Sequence, residues 1–226
     1  MFMLLDTANP GEISKALEAL PIAGITTCPT ILAREKRKPL EILKDIRALI
    51  GDGMMLHAQV MGENVDEIMK DALALRENVS GSFYVKVPVT IEGLKAMRLL
   101  AKEKIVFTAT TIHSASQALL AADSGASFLA PYINRIDNLD ASGAELVRNI
   151  ATFLEARHYQ AKILAASFRN VHQIVEVLVA GAHTVTLSPD LAWKMAEHPM
   201  TDISVAQFRK AWDDCYGAGK NVANNV

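Results

Sequence analysis

Short apolar runs typical of β-strands alternate along the chain with longer segments in which apolar residues recur about every three or four positions. The predicted strands cover residues 2–6, 22–26, 54–60, 83–88, 104–109, 126–130, 162–166 and 182–186. Helices are predicted between them, and the helix over 90–102 has Thr90 as a suitable N-cap. Because eight strands are each followed by a helix, the pattern favours an α/β fold, a closed (β/α)8 barrel of the TIM type.

A doubly wound open sheet is the alternative arrangement, but its first turn is usually rich in glycine, and the first turn here is DTANPG. We therefore expect residues 1–226 to form a single barrel domain. A further helix, about 202–215, follows the last unit with no strand after it, and Val205, Phe208 and Trp212 line one of its faces. That face predicts contact either with the bottom of the barrel or with a neighbouring subunit.

The composition excludes several classes of protein. Half of the 226 residues are hydrophobic, which is typical of a folded domain, and 23 basic against 25 acidic residues give a net charge of −2. That balance predicts neither a nucleic-acid partner nor a membrane partner. Two cysteines, Cys28 and Cys215, are too few for a disulfide framework or a four-ligand zinc site. The apolar start MFMLL is too short for a signal peptide, so we expect a cytoplasmic protein.

Polar residues at the ends of the predicted strands define the candidate site, because barrel enzymes carry their chemistry at the carboxyl ends of the strands. His, Cys, Asp and Glu residues show no metal-ligand spacing, so neither a metal nor another cofactor is expected. The polar residues at or just beyond the strand ends are Asp6, Thr26, Thr27, Gln59, Lys86, Thr110, Asn134 and Arg135 (which follow Tyr132), Ser167, Arg169 and Ser188.

Lys86 carries the strongest signal, because it interrupts the apolar strand FYVKVP. Strict alternation places Tyr84, Lys86 and Pro88 on the face that points into the barrel. Burial lowers the pKa of a lysine and leaves a nucleophilic amine near neutral pH, as Schiff-base catalysis requires. The alternative interpretation is a lysine at a strand end that reaches solvent, or one that protects an exposed sheet edge.

Other polar residues allow both a functional and a structural interpretation. Asp6 could shuttle protons or orient Lys86, and it could equally cap the next helix. Arg135 and Arg169, together with Ser167, suit a phosphate or sulfonate, and equally suit ordinary salt bridges between loops.

Two further features are interpreted as structural. His57 and His183 lie in apolar strands and are expected to be core histidines whose hydrogen bonds are satisfied. The basic stretch 33–39, AREKRKP, is expected to form a solvated loop and the start of a helix.

Segments spread over nearly the whole chain form a specific set because they occur together and in a fixed order. They are LLDTA, PIAGITTCPTIL, HAQVMG, YVKVPVTIEGLKA, APYINRID, ILAASFRN and AGAHTVTLSPDLA. In these segments the sequence resembles the transaldolase family, and within it the small class I aldolases of the fructose-6-phosphate aldolase branch. Members of this family are (β/α)8 barrels in which a lysine on the fourth strand forms an imine with a ketose. The resemblance implies that role for Lys86.

The resemblance also implies roles for residues at the other strand ends. Asp6 and Tyr132 match the acid–base residues of the family, which act with a water molecule held by the residues matching Gln59 and Thr110. The substrate-binding positions implied are Thr27, Cys28, Asn134, Arg135, Ser167 and Arg169, of which the last three match the phosphate pocket. Aldolases of this branch form decamers with an exchanged C-terminal helix, which implies a homo-oligomer, a pentamer or decamer, with 202–215 packed on a neighbour.

Four positions bear on the subtype. Gln59 and Tyr132 agree with the aldolase branch, because transaldolases proper typically have Glu and Phe there. Cys28 departs from both branches, which have an asparagine that hydrogen-bonds the donor hydroxyls, and a thiol replaces an amide poorly. Arg169 resembles the transaldolase branch, since the aldolases usually have Lys at this position.

The function expected from these residues is Schiff-base cleavage of the C3–C4 bond of a 6-phosphorylated or similarly anionic ketose. The products are a dihydroxyacetone unit and an aldehyde such as glyceraldehyde 3-phosphate. One alternative is a true transaldolase that transfers the dihydroxyacetone unit to an acceptor aldehyde, with a 6-sulfonated ketose (6-deoxy-6-sulfofructose) as a candidate donor. A second alternative, which only Cys28 favours, is a sugar-phosphate-binding protein without catalysis.

Overall fold

The computed structural model describes residues 3–224, and these residues form eight strands and eleven helices. The strands are β1 Met3–Asp6, β2 Ile22–Thr26, β3 Met55–Gln59, β4 Phe83–Pro88, β5 Phe107–Ile112, β6 Phe128–Pro131, β7 Lys162–Ala165 and β8 Thr184–Leu187. The helices are α1 Pro10–Ala19, α2 Pro29–Arg34, α3 Pro39–Ile50, α4 Val65–Asn78, α5 Ile91–Lys102, α6 Ala115–Asp123, α7 Ile133–Asp137, α8 Gly143–Ala156, α9 Val171–Val179, α10 Pro189–Lys194 and α11 Pro199–Tyr216.

The parallel strands close into a barrel in chain order, with β8 paired to β1, so the predicted (β/α)8 fold is confirmed. Leu4, Phe128 and Leu164 form a small apolar cluster of their own. The larger core lies between the strands and the helices around them, and it contains the residues of each strand that point toward the helices. Val85 and Val87, on either side of Lys86 in the sequence, belong to it. None of the helices in residues 3–224 is both long enough and apolar enough to cross a membrane.

Short polar side chains fix where the helices begin. The hydroxyl of Thr90 accepts from the N–H of Gly93 at 2.9 Å, which confirms the predicted N-cap of α5. Ser114, Ser142 and Asn170 cap α6, α8 and α9 in the same way. Because Thr90, Ser114 and Asn170 follow soon after strands, α5, α6 and α9 begin close to the rim of the barrel where the strands end, whereas α7 lies between β6 and Ser142.

Strands β5, β6 and β8 begin two or three residues later than predicted. The N–H groups of Ile105, Ala126 and Ala182 donate instead to carbonyls of the preceding helices, at 2.9, 3.2 and 2.9 Å. Such a hydrogen bond is typical of a helix that ends at a residue in the left-handed conformation. The residues just before these N–H groups, Lys104, Gly125 and Gly181, have positive φ of 56°, 93° and 108°. Phe2, which the pattern placed in the first strand, lies outside the described residues.

Helix α11 follows the last barrel unit, as predicted. Within the described chain it buries none of its residues, and Met200, Ile203, Val205 and Phe208 are all exposed. Closure of the barrel bottom by this helix is therefore the wrong alternative, because such a plug would bury its apolar face. The ring of Trp212 packs against Tyr216 of the same helix, with ring centroids 4.5 Å apart.

Candidate active site

A cavity of about 600 Å³ opens at the carboxyl ends of the strands, where the sequence places the candidate site. Each even-numbered strand contributes one lining residue, namely Thr26, Lys86, Ala130 and Thr186. All of the predicted site residues except Gln59, Thr27 and Asn134 line it: Asp6, Cys28, Lys86, Thr110, Tyr132, Arg135, Ser167 and Arg169.

Lys86 lies inside the barrel at the bottom of this cavity. The residue is only 6 % exposed, so Lys86 does not reach solvent. The closed barrel has no sheet edge, so the alternative of an edge-protecting lysine is also wrong. Nζ donates to the backbone carbonyl of Thr27 at 2.8 Å, and no ion pair joins Lys86 to a carboxylate within residues 3–224. The bond to Thr27 fixes the position of the nitrogen and leaves its other substituent positions open to the cavity.

Asp6 ends β1 at the cavity wall and is half-buried. Its Oδ1 accepts a 2.6 Å hydrogen bond from Thr26 Oγ1. Thr26 Oγ1 in turn lies 2.6 Å from Thr186 Oγ1. The side chain of Asn9, not that of Asp6, caps α1 by accepting from the N–H groups of Gly11 and Glu12. The helix-capping alternative for Asp6 is therefore wrong, and its carboxylate remains directed at the cavity.

Tyr132 faces Thr110 across the cavity wall, with Oη 3.2 Å from Thr110 Oγ1. A register shift at the end of β5 turns the chain here, and Thr111 has φ of 58°, which is unusual for a β-branched residue. The guanidinium of Arg135 lies over the Tyr132 ring at 5.6 Å, and His113 meets the same ring edge-on at 5.6 Å. The phenol is thus held in one orientation beside a hydroxyl and below a cation.

Arg135, Ser167 and Arg169 form what we call the anion pocket on the side of the cavity built by β6 and β7. Both arginines are exposed, and neither makes an ion pair with a carboxylate of residues 3–224, so loop salt bridging does not account for them. Ser167 has φ of 64°, which turns the chain at the end of β7. Two guanidinium groups and a hydroxyl suit the oxygens of a phosphate or sulfonate.

Three predicted residues lie beside the cavity and not in its lining. Gln59 ends β3 and pairs in register with Lys86. Thr27 is fully buried and accepts the lysine hydrogen bond through its carbonyl. Asn134 Oδ1 accepts from Gln173 Nε2 at 3.4 Å, which holds the amide against α9.

Sequence reasoning missed several lining residues on the first two βα connections. Arg34, which the sequence placed in a solvated basic stretch, ends α2 and lines the cavity. Glu12 lines it from the first turn of α1 and accepts a 2.5 Å hydrogen bond from Thr7 Oγ1. Their signal was weak because both follow their strands by more than five residues, inside helices rather than at strand ends.

His57 is a buried titratable group below Lys86, so its expected core position is confirmed, but the expectation that its hydrogen bonds are satisfied is wrong. Nδ1 lies 2.9 Å from Thr108 Oγ1, and the ring stacks on Tyr84 at 4.7 Å, but Nε2 has no hydrogen-bond partner in the described residues. Burial, and secondly the charge of Lys86, lower the pKa of His57 well below its ordinary value of 6.5. His183 is exposed, so its expected core position is wrong.

No group of three or more His, Cys, Asp or Glu residues within 3–224 is arranged to hold a metal ion. The cavity presents an amine, carboxylates, a phenol and guanidinium groups to a ligand.

A (β/α)8 barrel with a lysine buried below a polar rim cavity defines the class of protein as a barrel enzyme. The family model described as Transaldolase/Fructose-6-phosphate aldolase matches residues 3–223. A probable fructose-6-phosphate aldolase from Streptococcus pneumoniae is 41 % identical over 213 residues, which cover 94 % of this chain and 96 % of the relative. The chain therefore belongs to the transaldolase/fructose-6-phosphate aldolase family, and it is an enzyme of the aldolase/transaldolase class.

Among solved structures, a crystal structure of mandelate oxidase with 2-hydroxy-phenylacetamide is similar, with a TM-score of 0.60. The match covers 84 % of this chain and 65 % of that chain at 12 % identity. The chain thus spans less than two thirds of the mandelate oxidase chain, and the likeness shows the barrel fold alone.

Proposed function

We propose that this enzyme is a class I aldolase that cleaves the C3–C4 bond of a ketose with an anionic group at C6, of the fructose 6-phosphate type. The observation that carries the proposal is the place of Lys86 Nζ, buried at the bottom of a polar cavity with a carbonyl as its hydrogen-bond partner. An amine in that setting is suited to nucleophilic attack on a ketone. Membership of the family supports the same reaction class.

The first half of the reaction forms the iminium ion. The neutral Lys86 amine attacks C2 of the ketose while its N–H bond to Thr27 holds the nitrogen in place. Asp6 exchanges protons with the tetrahedral carbinolamine, and the C2 hydroxyl leaves as water. The resulting cation lies above the barrel interior, where it withdraws electrons from the C3–C4 bond.

The second half breaks that bond and restores the lysine. Tyr132, through a water molecule held by Gln59 and Thr110, takes the proton from the C4 hydroxyl. The C3–C4 electron pair moves toward the iminium nitrogen, which gives an aldehyde and an enamine on Lys86. Tyr132, through the same water molecule, returns the proton to C3 of the enamine, and addition of water to the iminium ion so formed releases dihydroxyacetone and the free amine.

The anion pocket binds the group at C6 of the substrate. Arg135, Ser167 and Arg169 offer charge-assisted hydrogen bonds to phosphate or sulfonate oxygens. Cys28, half-buried in the lining of the cavity and next to Thr27 in the sequence, contacts the donor unit. Both remaining residues act from outside the cavity lining: Thr27 supports the donor unit, and Asn134 supports the anion pocket.

A transaldolase is the second candidate function, and Arg169 in the anion pocket is the observation that favours it. In that case an acceptor aldehyde attacks the enamine before water does, and the dihydroxyacetone unit is transferred. A 6-sulfonated ketose is a candidate donor, because guanidinium groups bind sulfonate and phosphate oxygens alike. Free dihydroxyacetone formed without an acceptor aldehyde supports the aldolase, and its absence supports the transaldolase.

Borohydride reduction in the presence of fructose 6-phosphate tests the proposal. We expect a three-carbon adduct in the intact mass, and peptide mapping is expected to place it on Lys86. Lys86→Met abolishes the adduct, whereas Lys162→Met, at an exposed strand lysine, retains it. Absence of an adduct in the unmodified enzyme, or an adduct that persists in Lys86→Met, contradicts the proposal.

The exposed apolar face of α11 supports a homo-oligomer in which a neighbouring subunit covers this helix. A pentamer or decamer is the assembly proposed. Sedimentation velocity is expected to show one of these sizes for the full chain and smaller species for Phe208→Glu. A monomeric full chain contradicts this assembly without touching the proposed chemistry.

A further inference from the structure

Thr186 is a buried hydroxyl that the mechanism above does not use. It lies in β8, and Thr26 lies in β2, so the two strands flank β1, which carries Asp6. Thr26 is fully buried and Thr186 is 4 % exposed. The three side chains form one hydrogen-bonded chain, with 2.6 Å from Thr186 Oγ1 to Thr26 Oγ1 and 2.6 Å from Thr26 Oγ1 to Asp6 Oδ1.

Proton counting gives this chain a direction. A threonine hydroxyl has a single proton, and an ionised carboxylate can only accept. When Asp6 is ionised, the Thr26 proton is committed to Oδ1, so the bond between the hydroxyls exists only if Thr186 donates to Thr26. A hydroxyl that accepts one bond while donating another is a stronger donor than an isolated hydroxyl.

The same chain can reverse when Asp6 takes up a proton. Thr26 then accepts from the carboxyl group and is free to donate to Thr186. The hydrogen bond between Thr26 and Asp6 is stronger when Asp6 is ionised, because hydrogen bonds to charged groups are stronger than those between neutral groups. Thr186 therefore favours the ionised carboxylate without touching it.

We propose that Thr186 is a positioning residue which, through Thr26, orients Asp6 and favours its ionised state during the proton transfers of the Schiff-base reaction. The inference rests on the proposed function, because the charge of Asp6 affects the reaction only if Asp6 exchanges protons with the substrate. The other ionisable groups of the cavity lining are Lys86, Glu12, Cys28, Arg34, Glu35, Tyr132 and Asp190, with the arginines of the anion pocket. Replacing Thr186 leaves all of them in place.

The variants Thr186→Val and Thr186→Ser test the proposal. Valine keeps the branched shape and suits a buried strand, whereas serine keeps the hydroxyl. We expect Thr186→Val to lower kcat about fivefold with KM nearly unchanged, the size of a weakened indirect hydrogen bond. The acidic limb of the pH profile of kcat, which reports groups titrating in the enzyme–substrate complex, is expected to move up by about half a pH unit.

Thr186→Ser is expected to restore both kcat and the pH profile. A wild-type pH profile in Thr186→Val, or a serine variant as impaired as the valine variant, overturns the proposal, because shape alone then explains the residue. Thr186→Ala serves as a second variant without the hydroxyl should the valine protein not fold, as judged by circular dichroism.

The outcome is separable from the test of the proposed function. Borohydride trapping in the same preparations, carried to completion, reports whether the imine on Lys86 forms at all, whereas the pH profile of kcat reports the protonation of the groups that assist it. No adduct in the unmodified enzyme contradicts the proposed function, and an adduct with an unchanged pH profile in Thr186→Val contradicts the role of Thr186 alone.

Discussion

Gln173 Nε2 donates a 2.6 Å hydrogen bond to Asp137 Oδ2 and thereby joins α9 to α7. Its Oε1 accepts from the backbone N–H of Arg169 at 2.9 Å. Because α7 carries Arg135, this one buried amide fixes the distance between the two arginine-bearing segments of the anion pocket. The amide orientation is determined, since one end must donate to a carboxylate and the other must accept an N–H.

Gln173→Glu is expected to damage this link in a pH-dependent way. At pH 7.5 the new carboxylate faces that of Asp137, which we expect to destabilise the fold by about 3 kcal/mol and to raise KM for a phosphorylated ketose. As the pH falls to 5.5, the glutamate is protonated and can donate to Asp137, so the variant regains stability relative to the unmodified protein. Urea unfolding at the two pH values measures the change.

Gln173→Met is the matched control for this prediction. It keeps the length of the side chain, removes the hydrogen bonds and adds no charge, so we expect a loss of about 1–2 kcal/mol that is the same at both pH values. A glutamate variant that parallels the methionine variant at both pH values would show that charge at this position has no effect.

The anion pocket predicts which arginines bind the substrate. Arg135→Gln and Arg169→Gln are each expected to raise KM for a 6-phosphorylated ketose about 10- to 100-fold, the range for a lost charge-assisted hydrogen bond. Cleavage or addition with an unphosphorylated substrate is expected to stay within about twofold, because the pocket is then empty. Steady-state kinetics with both substrates measures the difference.

Arg34→Gln is the control, because Arg34 lines the same cavity from α2. We expect it to change KM for the phosphorylated substrate by less than about threefold. A larger effect for Arg34 than for Arg135 and Arg169 would place the anion on the α2 side of the cavity.

The sequence predicts the inside of the barrel well because strand alternation has a fixed period. An apolar strand interrupted by one lysine leaves few choices: once the sheet closes, every second residue of β4 must point inward, and Lys86 does. The same reasoning places Asp6 and Thr110, which end or follow short strands. A period of two needs no knowledge of neighbouring elements.

Positions that depend on contacts between elements could not be predicted from the sequence. Asn134 follows the predicted sixth strand by a few residues, but Gln173 of α9 holds its amide outside the cavity lining. Arg34 reaches the cavity only because α2 is short and begins at the end of β2. The late starts of β5 and β6 likewise depend on left-handed helix ends, where Ile105 and Ala126 are apolar residues that a strand would also favour.

Cys28 is the N-cap of α2, with φ of −141° and ψ of 166°, yet its sulfur accepts no capping hydrogen bond in the described chain. Cys28→Asn and Cys28→Ser are both expected to add this cap and to stabilise the fold by about 1 kcal/mol. Only asparagine also offers an amide to the donor, with two N–H groups and a carbonyl. Thermal or urea unfolding measures the first effect.

Donor preference separates the two variants of Cys28. In the addition direction, with glyceraldehyde 3-phosphate as the acceptor, Cys28→Asn is expected to favour dihydroxyacetone over hydroxyacetone about tenfold more than the unmodified enzyme. Cys28→Ser is expected to keep the original preference. Equal preferences in all three proteins would mean that this side chain does not contact the donor hydroxyls.

His57 makes folding stability depend on pH. Burial, and then the charge of Lys86, hold the pKa of the folded His57 well below 6.5, whereas in the unfolded chain the imidazole titrates near 6.5. As the pH falls from 7.5 to 5.5, the unfolded state takes up a proton that the folded state does not. This group therefore contributes its full stability above pH 6.5 and loses about 1.4 kcal/mol of it by pH 5.5.

His57→Gln removes this titration, so we expect its free energy of unfolding to fall by about 1.4 kcal/mol less between the two pH values than that of the unmodified protein. The comparison uses the pH dependence and not the absolute stability, because glutamine also changes the stacking on Tyr84. The same pH dependence in His57→Gln and in the unmodified protein would show that folded His57 takes up a proton as readily as the unfolded chain does.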